Sequence, residues 1–281
     1  MSNGRISVLV LTRNEARDLL SCLESVFWSG DVHVFDSHST DDTRLITEKS
    51  GAHVHVRAFT NYADQRNAAL QSIRFTNEWV LLLDADERVP ALLAAEMAAF
   101  VEMAPLGVVA ARIRRRDYFL GNWLKHAQIS PFYIRLVRPR EVHYEREINE
   151  VLVPHGEIAE LKSHFNHFPF SKGLFHWIER HNRYSTMEAE RALAERRSGE
   201  RFSWRRALFT RNFHLRRFHQ KGIFYRLPGR PILKLFYMLF WRRAILDGHA
   251  GITYCCLQCI YEYFIVLKER ELSERPRANS P

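Results

Sequence analysis

One short stretch constrains the fold of this 281-residue chain more than any other. Five apolar residues, 79–83, are followed at once by Asp84, Ala85, Asp86 and Glu87. A short, wholly apolar run predicts a strand buried in the middle of a parallel sheet, and open α/β sheets bind ligands at the carboxyl ends of such strands. Carboxylate oxygens suit Mg²⁺ or Mn²⁺ better than a soft metal. The stretch therefore predicts a divalent-metal site, with an exposed turn that carries two aspartates as the alternative.

Strand and helix patterns alternate along the first part of the chain. The predicted strands are residues 6–11, 32–36, 54–56, 79–83 and 108–113, with helical patterns between them. This alternation predicts an α/β fold with a mostly parallel central sheet and helices on both faces. Neither G-x-G-x-x-G nor G-x-x-x-x-G-K-[ST] follows the first strand, so neither a Rossmann-type dinucleotide site nor a P-loop is predicted.

Polar side chains collect where these strands end. Residues 12–15 follow the first strand, Asp36 ends the second, and Arg66 lies near the start of the helix after the third. Each has an ordinary structural explanation, since Asp36 could be a helix cap and Arg66 a surface charge. Together with Asp84 and Asp86 they predict a nucleotide site, in which carboxylates serve the base and ribose, an arginine the phosphate, and a metal the diphosphate.

Four segments resemble the successive motifs of family 2 glycosyltransferases with the GT-A fold. They are Val10-Leu11-Thr12-Arg13-Asn14-Glu15, Asp36-Ser37-His38-Ser39-Thr40-Asp41-Asp42-Thr43, Gln65-Arg66-Asn67-Ala68 and Asp84-Ala85-Asp86-Glu87. Within that family the chain is similar to bacterial members that build lipopolysaccharide core and other envelope polysaccharides. One departure is His38, which stands where the family usually has glycine and leaves the preference for a donor base open.

The resemblance implies roles for individual residues. The implied donor-binding residues are Thr12, Asn14, Glu15, Asp36, Ser37, Arg66, Asp84 and Ala85. Asp84 and Asp86 would hold a divalent metal, Mg²⁺ or Mn²⁺, and His167 would complete that site, unless it is a hydrogen-bonded core histidine. The implied donor is a nucleoside-diphosphate sugar, with a UDP-sugar favoured.

A carboxylate is also needed as a general base if the transfer inverts the sugar, because the acceptor hydroxyl must lose its proton as it attacks. Glu150 is the predicted base. It takes the place of the glutamate in the V-H-E motif of similar proteins, although Asn149 stands where histidine is usual. Glu147 is the rival candidate, and a solvated charged strand is the alternative for both.

The charge of the chain is concentrated in one segment. Residues 201–243 contain twelve Lys and Arg but no Asp or Glu, in a protein of net charge +9, and aromatic residues are interspersed among the basic ones. This pattern predicts basic amphipathic helices that lie on an anionic membrane surface. Neither this segment nor the apolar stripe at 252–267 reaches the ~20 uninterrupted apolar residues of a membrane span. Packing against the catalytic domain and a true span are the alternatives.

The predicted organisation has four parts. Residues 1–170 form the GT-A nucleotide-sugar-binding and catalytic domain, 171–200 a long bracing helix, 201–272 the basic amphipathic, membrane-associating region, and 273–281 a disordered tail. The predicted protein is an inverting, metal-assisted glycosyltransferase at the cytoplasmic face of the bacterial inner membrane. It would act on a hydroxyl of a lipid-linked or lipopolysaccharide-type glycan.

Two rival functions stay open at this point. One is a synthase that transfers a sugar to a polyprenyl phosphate. The other is a non-catalytic protein that binds nucleic acid or membranes through the basic segment. Since binding to nucleic acid would leave the four motifs unexplained, no nucleic-acid partner is expected.

Overall fold

The computed structural model describes residues 5–145, 151–197, 202–210 and 213–274. The chain forms two compact units, the first of residues 1–123 and 129–171, the second of residues 124–128 and 172–281. The sequence analysis separated residues 171–200 from residues 201–272, but apart from residue 171 both segments fall in the second unit.

The first unit alternates strands and helices, as predicted. Its elements are β1 (Ile6–Thr12), α1 (Ala16–Glu24), β2 (Val32–Asp36), α2 (Thr43–Lys49), β3 (His53–Val56), α3 (Tyr62–Ser72), β4 (Trp79–Asp84), β5 (Glu87–Arg88), α4 (Ala91–Met103), β6 (Val108–Phe119), β7 (Asn122–Trp123), β8 (Phe132–Val137), β9 (Val142–Glu145), β10 (Val151–Pro154) and β11 (Glu157–His167).

One large sheet runs through this unit in the order β3-β2-β1-β4-β8-β6-β11-β5, and β7 pairs with β6. Strands β1 to β4 are mutually parallel, and β11 is parallel to β6. Strand β8 is antiparallel to both of its neighbours, β4 and β6. The predicted α/β fold with a mostly parallel sheet is therefore confirmed.

Both faces of the central strands are buried, which explains why their sequences are continuously apolar. On one face Val8 and Leu81 pack in a cluster with residues of α1 and α4. On the other face Leu9 and Leu82 pack with residues of α3. Helices thus cover both faces, and the carboxyl ends of β1, β2 and β4 meet at one edge.

The second unit is helical. Its elements are α5 (Gly173–Arg197), α6 (Trp204–Phe209), α7 (Phe213–Phe224), α8 (Arg230–Phe236), a π-helical turn (Tyr237–Trp241), a 3-10 helix (Ala244–Asp247) and α9 (Gly248–Glu274). Helix α9 extends beyond the apolar stripe at 252–267 at both ends. It continues to Glu274, so residues 273 and 274 are helical rather than disordered, and residues 275–281 lie outside the described residues.

Helices α8 and α9 are joined by buried ion pairs. The Arg230 side chain is 2% exposed, and its guanidinium lies 2.9 Å from Glu262 and 2.7 Å from Glu269. Lys234 lies 3.3 Å from Glu262. Glu262, a charged residue within the apolar stripe at 252–267, is therefore buried and paired, the usual condition for burying a carboxylate.

Among the described residues one helical segment, 244–274, is long and apolar enough to cross a membrane. Its most apolar window has a mean hydropathy of 1.4, and 39% of that window is buried within the protein. The sequence analysis judged this segment too short and too interrupted for a span. Its prediction of the length was wrong, because the helical segment has 31 residues. Since the core helix of a soluble protein meets the same criteria, the segment is only weak evidence for a span.

Candidate active site

Three of the predicted site residues end neighbouring strands of the sheet. Thr12 at the end of β1 pairs in register with Asp36 at the end of β2. Leu11, one residue earlier, pairs with Asp84 at the end of β4. The sheet register therefore brings together side chains that are up to 72 residues apart in the sequence, at the edge where α/β proteins bind ligands.

Asp36 holds the loops after β1 and β2 together. Its Oδ1 accepts hydrogen bonds from the Thr12 hydroxyl at 2.9 Å and the Ser39 hydroxyl at 2.5 Å, and its Oδ2 accepts one from the Ser39 amide at 2.8 Å. The residue has no exposed surface. In this structure Asp36 thus shapes the loop, whereas the sequence analysis expected it to line the nucleoside pocket. Next to it, Ser37 accepts a hydrogen bond from the Gln65 amide at 3.0 Å.

Each of these two loops contains a left-handed residue, Asn14 with φ of 56° after β1 and His38 with φ of 53° after β2. Asparagine tolerates this conformation well. Here the Asn14 side-chain oxygen accepts a hydrogen bond from the Thr40 backbone amide at 2.8 Å, and the Asn14 backbone amide donates to the Ser39 hydroxyl at 2.8 Å. A histidine in this region is strained by about 1 kcal/mol or more. The backbone at His38 thus has a conformation that glycine, the residue usual here in the family it resembles, adopts without strain.

We expect His38→Gly to leave the free energy of unfolding unchanged or to raise it by up to about 1 kcal/mol. Relief of the left-handed strain is partly offset by the greater freedom of glycine in the unfolded chain. Urea unfolding measures the difference. Arg44→Gly on the exposed face of α2 is the control, with an expected loss of about 1 kcal/mol. A similar loss for His38→Gly would contradict the argument from strain.

Asp84 lies between two guanidiniums. Arg66 donates to its Oδ1 at 3.0 Å and Arg135 to its Oδ2 at 2.9 Å. Burial alone would raise the pKa of Asp84, but the positive charges of Arg135 and Arg66 outweigh it and hold that pKa well below the usual range. The Asp84 side chain is still 37% exposed, so a ligand hydroxyl can reach it. Its charge, however, is already balanced by the protein.

Glu87 points into the protein, although its position after Asp86 suggested a place beside the predicted metal. Its Oε1 lies 2.5 Å from Arg135, its Oε2 accepts a hydrogen bond from the Asp84 amide at 3.0 Å, and it is 1% exposed. Burial raises the pKa of Glu87 to about 7 against the opposing charge of Arg135. Glu87 and Arg135 together fix the orientation of Asp84.

The sequence analysis did not select Arg135, although one signal was present. Residues 132–137 are apolar or aromatic except for Arg135, as in a buried strand. An arginine at an inward position of such a strand requires buried carboxylates as partners.

Asp86 and His167 lie together, as the resemblance implied. His167 Nε2 is 3.2 Å from Asp86 Oδ2, and His167 Nδ1 is 2.5 Å from Asp117 Oδ1. Burial alone would lower the pKa of His167, but its hydrogen bonds to Asp117 and Asp86 raise it to about 9. Asp117 was not predicted, because nothing in the run Arg114-Arg115-Arg116-Asp117 indicates that its carboxylate faces a histidine 50 residues later.

A metal at this position would have few protein ligands. Within residues 5–145, 151–197, 202–210 and 213–274, no group of three or more His, Cys, Asp and Glu side chains is arranged to hold a metal ion. Asp84 faces the guanidiniums, which leaves Asp86 and His167 as the protein donors. A carboxylate and an imidazole fit Mn²⁺ or Mg²⁺ when phosphate and water oxygens complete the coordination.

The predicted bases Glu147 and Glu150 lie outside the described residues. The strands on either side are described, and Glu145 of β9 pairs with Val151 of β10. Strand β9 is tied to α3, because the Asn67 side chain exchanges hydrogen bonds of 2.8 and 2.7 Å with the backbone of Tyr144. The Arg66 guanidinium lies 5.4 Å from the centre of the Tyr144 ring. The β9–β10 hairpin is therefore anchored beside the Arg66–Asp84 pair.

A cavity of about 360 Å³ in the first unit contains none of the predicted site residues. Its lining includes Asp18, Arg88, Tyr118 and Phe168. Three of these follow directly after Glu87, Asp117 and His167 in the sequence. Since successive side chains of a strand point to opposite faces, Arg88 on β5 and Tyr118 on β6 face the other side of the sheet from Glu87 and Asp117.

Acidic and basic side chains thus meet at the carboxyl edge of the sheet, where α/β proteins bind ligands. The chain belongs to glycosyl transferase family 2, because the model of that family matches residues 7–159, more than half of its length. The protein is thus an enzyme that transfers a sugar from a nucleotide-sugar donor.

Individual relatives agree with this assignment. The lipopolysaccharide core biosynthesis glycosyltransferase LpsC of Rhizobium meliloti is 25% identical over 198 residues, which cover 66% of this chain and 71% of that protein. An uncharacterized glycosyltransferase of Rickettsia conorii is 40% identical over 86 residues, but only 30% of each chain is covered. The mannosyltransferase PcManGT of Pyrobaculum calidifontis, solved with GDP-Man and Mn²⁺, matches with a TM-score of 0.55 and 16% identity over 96% of this chain and 88% of that chain. At this identity the match to PcManGT concerns the fold alone.

Proposed function

We propose that the protein is an inverting glycosyltransferase that moves a sugar from a nucleoside-diphosphate donor to a hydroxyl of a lipid-linked or lipopolysaccharide-type glycan. The observation that carries the proposal is the pair Asp86–His167, which lies at the same sheet edge as Asp84 with its two guanidiniums. The similarity to LpsC supports the class of acceptor. The Asp86 carboxylate beside the His167 imidazole supports a divalent metal.

The residues at the edge have distinct tasks in this proposal. Asp86 and His167 would hold the metal, which supplies positive charge to the departing diphosphate. Asp84, kept ionised and oriented by Arg66 and Arg135, would accept a hydrogen bond from a donor hydroxyl. The loops after β1 and β2, which Asp36 and Asn14 hold together, would border the nucleoside.

Glu150, with Glu147 as its rival, is proposed to take the proton of the acceptor hydroxyl. The hydroxyl oxygen then forms a bond to the anomeric carbon while the bond from that carbon to the diphosphate breaks, which inverts the configuration. A polyprenyl phosphate is already ionised and needs no base. Glu150→Gln would therefore abolish transfer to a hydroxyl acceptor but spare transfer to a polyprenyl phosphate, and this variant separates the two functions.

Thermal stabilisation tests the donor site. The purified protein is heated with UDP, GDP, CMP or dTDP, each with and without Mn²⁺. A ligand that binds only the folded state adds about 2.7 kcal/mol to its stability at 100 times the dissociation constant. We expect a metal-dependent increase in melting temperature with one nucleoside diphosphate, UDP being the first to test. No increase with any of them would contradict the proposed donor site.

The membrane is the proposed location of the enzyme, at the cytoplasmic face of the bacterial inner membrane. The support is a run of exposed apolar side chains in the second unit, which we call the aromatic segment. Its members and their exposed fractions are Phe236 55%, Tyr237 53%, Phe240 61%, Trp241 81%, Ile245 51% and Leu246 65%. Arg242 and Arg243 lie within the segment. Aromatic and basic side chains in this combination are typical of interfacial helices on anionic lipid.

We expect the double variant Phe240→Ser/Trp241→Ser to bind vesicles containing phosphatidylglycerol at least about tenfold more weakly, since burying each aromatic side chain contributes about 1.5–3 kcal/mol. Vesicle co-sedimentation measures the binding, and Leu106→Ser, at a position 92% exposed in the first unit, is the control. Equal loss in both variants would contradict the prediction.

Two further tests address the alternatives. Alkaline carbonate would release an interfacial protein from membranes but not a spanning one. Salt-sensitive binding to oligonucleotides, without binding to vesicles, would favour the nucleic-acid alternative.

A further inference from the structure

A buried carboxylate that the donor site does not itself require stands directly behind His167. Asp117 on β6 pairs in register with His167 on the parallel neighbour β11. The Asp117 side chain is 3% exposed. Burying a carboxylate this completely is unfavourable unless its partners are well placed, so its neighbours indicate what it does.

Two groups face Asp117. His167 Nδ1 lies 2.5 Å from Oδ1, while Arg115 places Nε 2.9 Å from Oδ1 and Nη2 3.4 Å from Oδ2. The Arg115 guanidinium also lies over the Tyr133 ring, whose centre is 4.7 Å away. The carboxylate is therefore fixed by Arg115 and directed at one nitrogen of the imidazole.

This arrangement determines which histidine nitrogen can bind a cation. A carboxylate accepts hydrogen bonds, so Nδ1 carries the hydrogen that is donated to Asp117. When the imidazole is neutral, the lone pair is then on Nε2. That nitrogen is the one that lies 3.2 Å from Asp86 Oδ2. The order Arg115, Asp117, His167, Asp86 is a chain of contacts that ends at two potential metal donors.

We propose that Asp117 is a positioning residue for the metal site: it fixes the ring and the tautomer of His167, so that Nε2 and the Asp86 carboxylate together bind the divalent cation of the donor complex. The inference rests on the proposed function, since it requires a cation at Asp86. Mutation of a carboxylate that holds a ligating histidine in this way typically lowers metal affinity by about 10–100-fold.

A purely structural role is the competing explanation. Asp117 could do no more than neutralise Arg115 within the sheet. In that case Asp117→Asn would lower the free energy of unfolding but would leave the affinity and the ligands of the bound cation unchanged. Metal affinity and metal coordination therefore discriminate between the two roles, while stability alone does not.

The experiment titrates Mn²⁺ into the full-length protein with a saturating nucleoside diphosphate, and electron paramagnetic resonance measures the free ion. Electron-spin-echo modulation from the imidazole nitrogen reports whether histidine is a ligand. We expect the wild type to show the nitrogen modulation and His167→Gln to lose it. Asp117→Asn should bind Mn²⁺ about 10–100-fold more weakly, and Asp117→Glu, which keeps the charge, should recover part of the loss. Glu160→Gln is the control, at a position on β11 whose carboxylate is 44% exposed and pairs with Arg112.

The outcomes separate the two levels of the argument. If Asp117→Asn keeps wild-type Mn²⁺ affinity and nitrogen modulation, or Asp117→Ser does so where the asparagine variant does not fold, the positioning role is overturned while the donor site stands. If His167→Gln also keeps the modulation, the imidazole of His167 is not a ligand and the inference fails. If the wild type binds no Mn²⁺ with any nucleoside diphosphate, the proposed metal-assisted function fails and the inference fails with it.

Discussion

Replacing Asp86 with asparagine is expected to lower kcat/KM for sugar transfer by roughly 10²–10⁴-fold, because a bound cation supplies several kcal/mol of charge stabilisation to a transition state and each 1.36 kcal/mol is a factor of ten in rate. Asparagine keeps the size of the side chain but has no charge to bind the cation. Donor binding should lose its dependence on Mn²⁺ in the same variant. The thermal-shift assay and initial-rate kinetics with the preferred nucleotide sugar measure the two effects.

Two comparisons make this result specific. Glu102→Gln removes a carboxylate that is 55% exposed and lies 3.4 Å from the Arg5 guanidinium, so the rate of this variant should equal that of the wild type. A chelator should lower the rate of the wild type to that of Asp86→Asn and leave the variant almost unchanged. An Asp86→Asn enzyme with full activity that a chelator still abolishes would place the cation elsewhere.

Arg135→Met is expected to lower the free energy of unfolding by about 3–5 kcal/mol, the usual effect of removing one partner from a buried ion pair. The Arg135 side chain is 8% exposed and contacts both Asp84 and Glu87. Without it the buried Glu87 would lose its positive partner, although Arg66 would still reach Asp84. Urea unfolding at neutral pH measures the loss, with the slope of the transition checked for two-state behaviour.

A matched surface pair is the control for this effect. Arg112 is 51% exposed and lies 2.8 Å from Glu160, so Arg112→Met should cost no more than about 1 kcal/mol. The double variant Arg135→Met/Glu87→Gln should recover part of the loss, since glutamine removes the unpaired buried charge. A cost below 1 kcal/mol for Arg135→Met would mean that water reaches the two carboxylates.

Local patterns predicted most of the sheet but not the full length of β6. The predicted strand ended at residue 113, because a run of charges follows, yet the strand continues to Phe119. The arginines in that run lie against aromatic rings of neighbouring strands. Arg114 is 4.5 Å from the centre of the Phe132 ring and Arg116 is 4.4 Å from that of Trp123. A sequence pattern counts these residues as solvated, whereas the tertiary structure lets their flat guanidiniums stack.

The candidate site, too, was predictable only in part from the sequence. The positions of Asp84 and Asp86 could be predicted because the residues before them must be buried on both faces. The partners of these carboxylates could not, because strand order decides them. Strand β8 lies between β4 and β6 and places Arg135 against Asp84 and Glu87, and β11 lies beside β6 and places His167 against Asp117.

By itself the sequence determined the alternation of strands and helices, the edge of the sheet that carries the polar side chains, and the concentration of basic and aromatic residues after residue 200. These follow from local burial and local charge, which periodicity and composition record. Only the tertiary structure decided that Asp84 is held by two guanidiniums, that Glu87 faces inward, and that Asp117 lies against His167. The direction of a side chain at the end of a strand depends on partners distant in the sequence, and a local pattern contains no information about them.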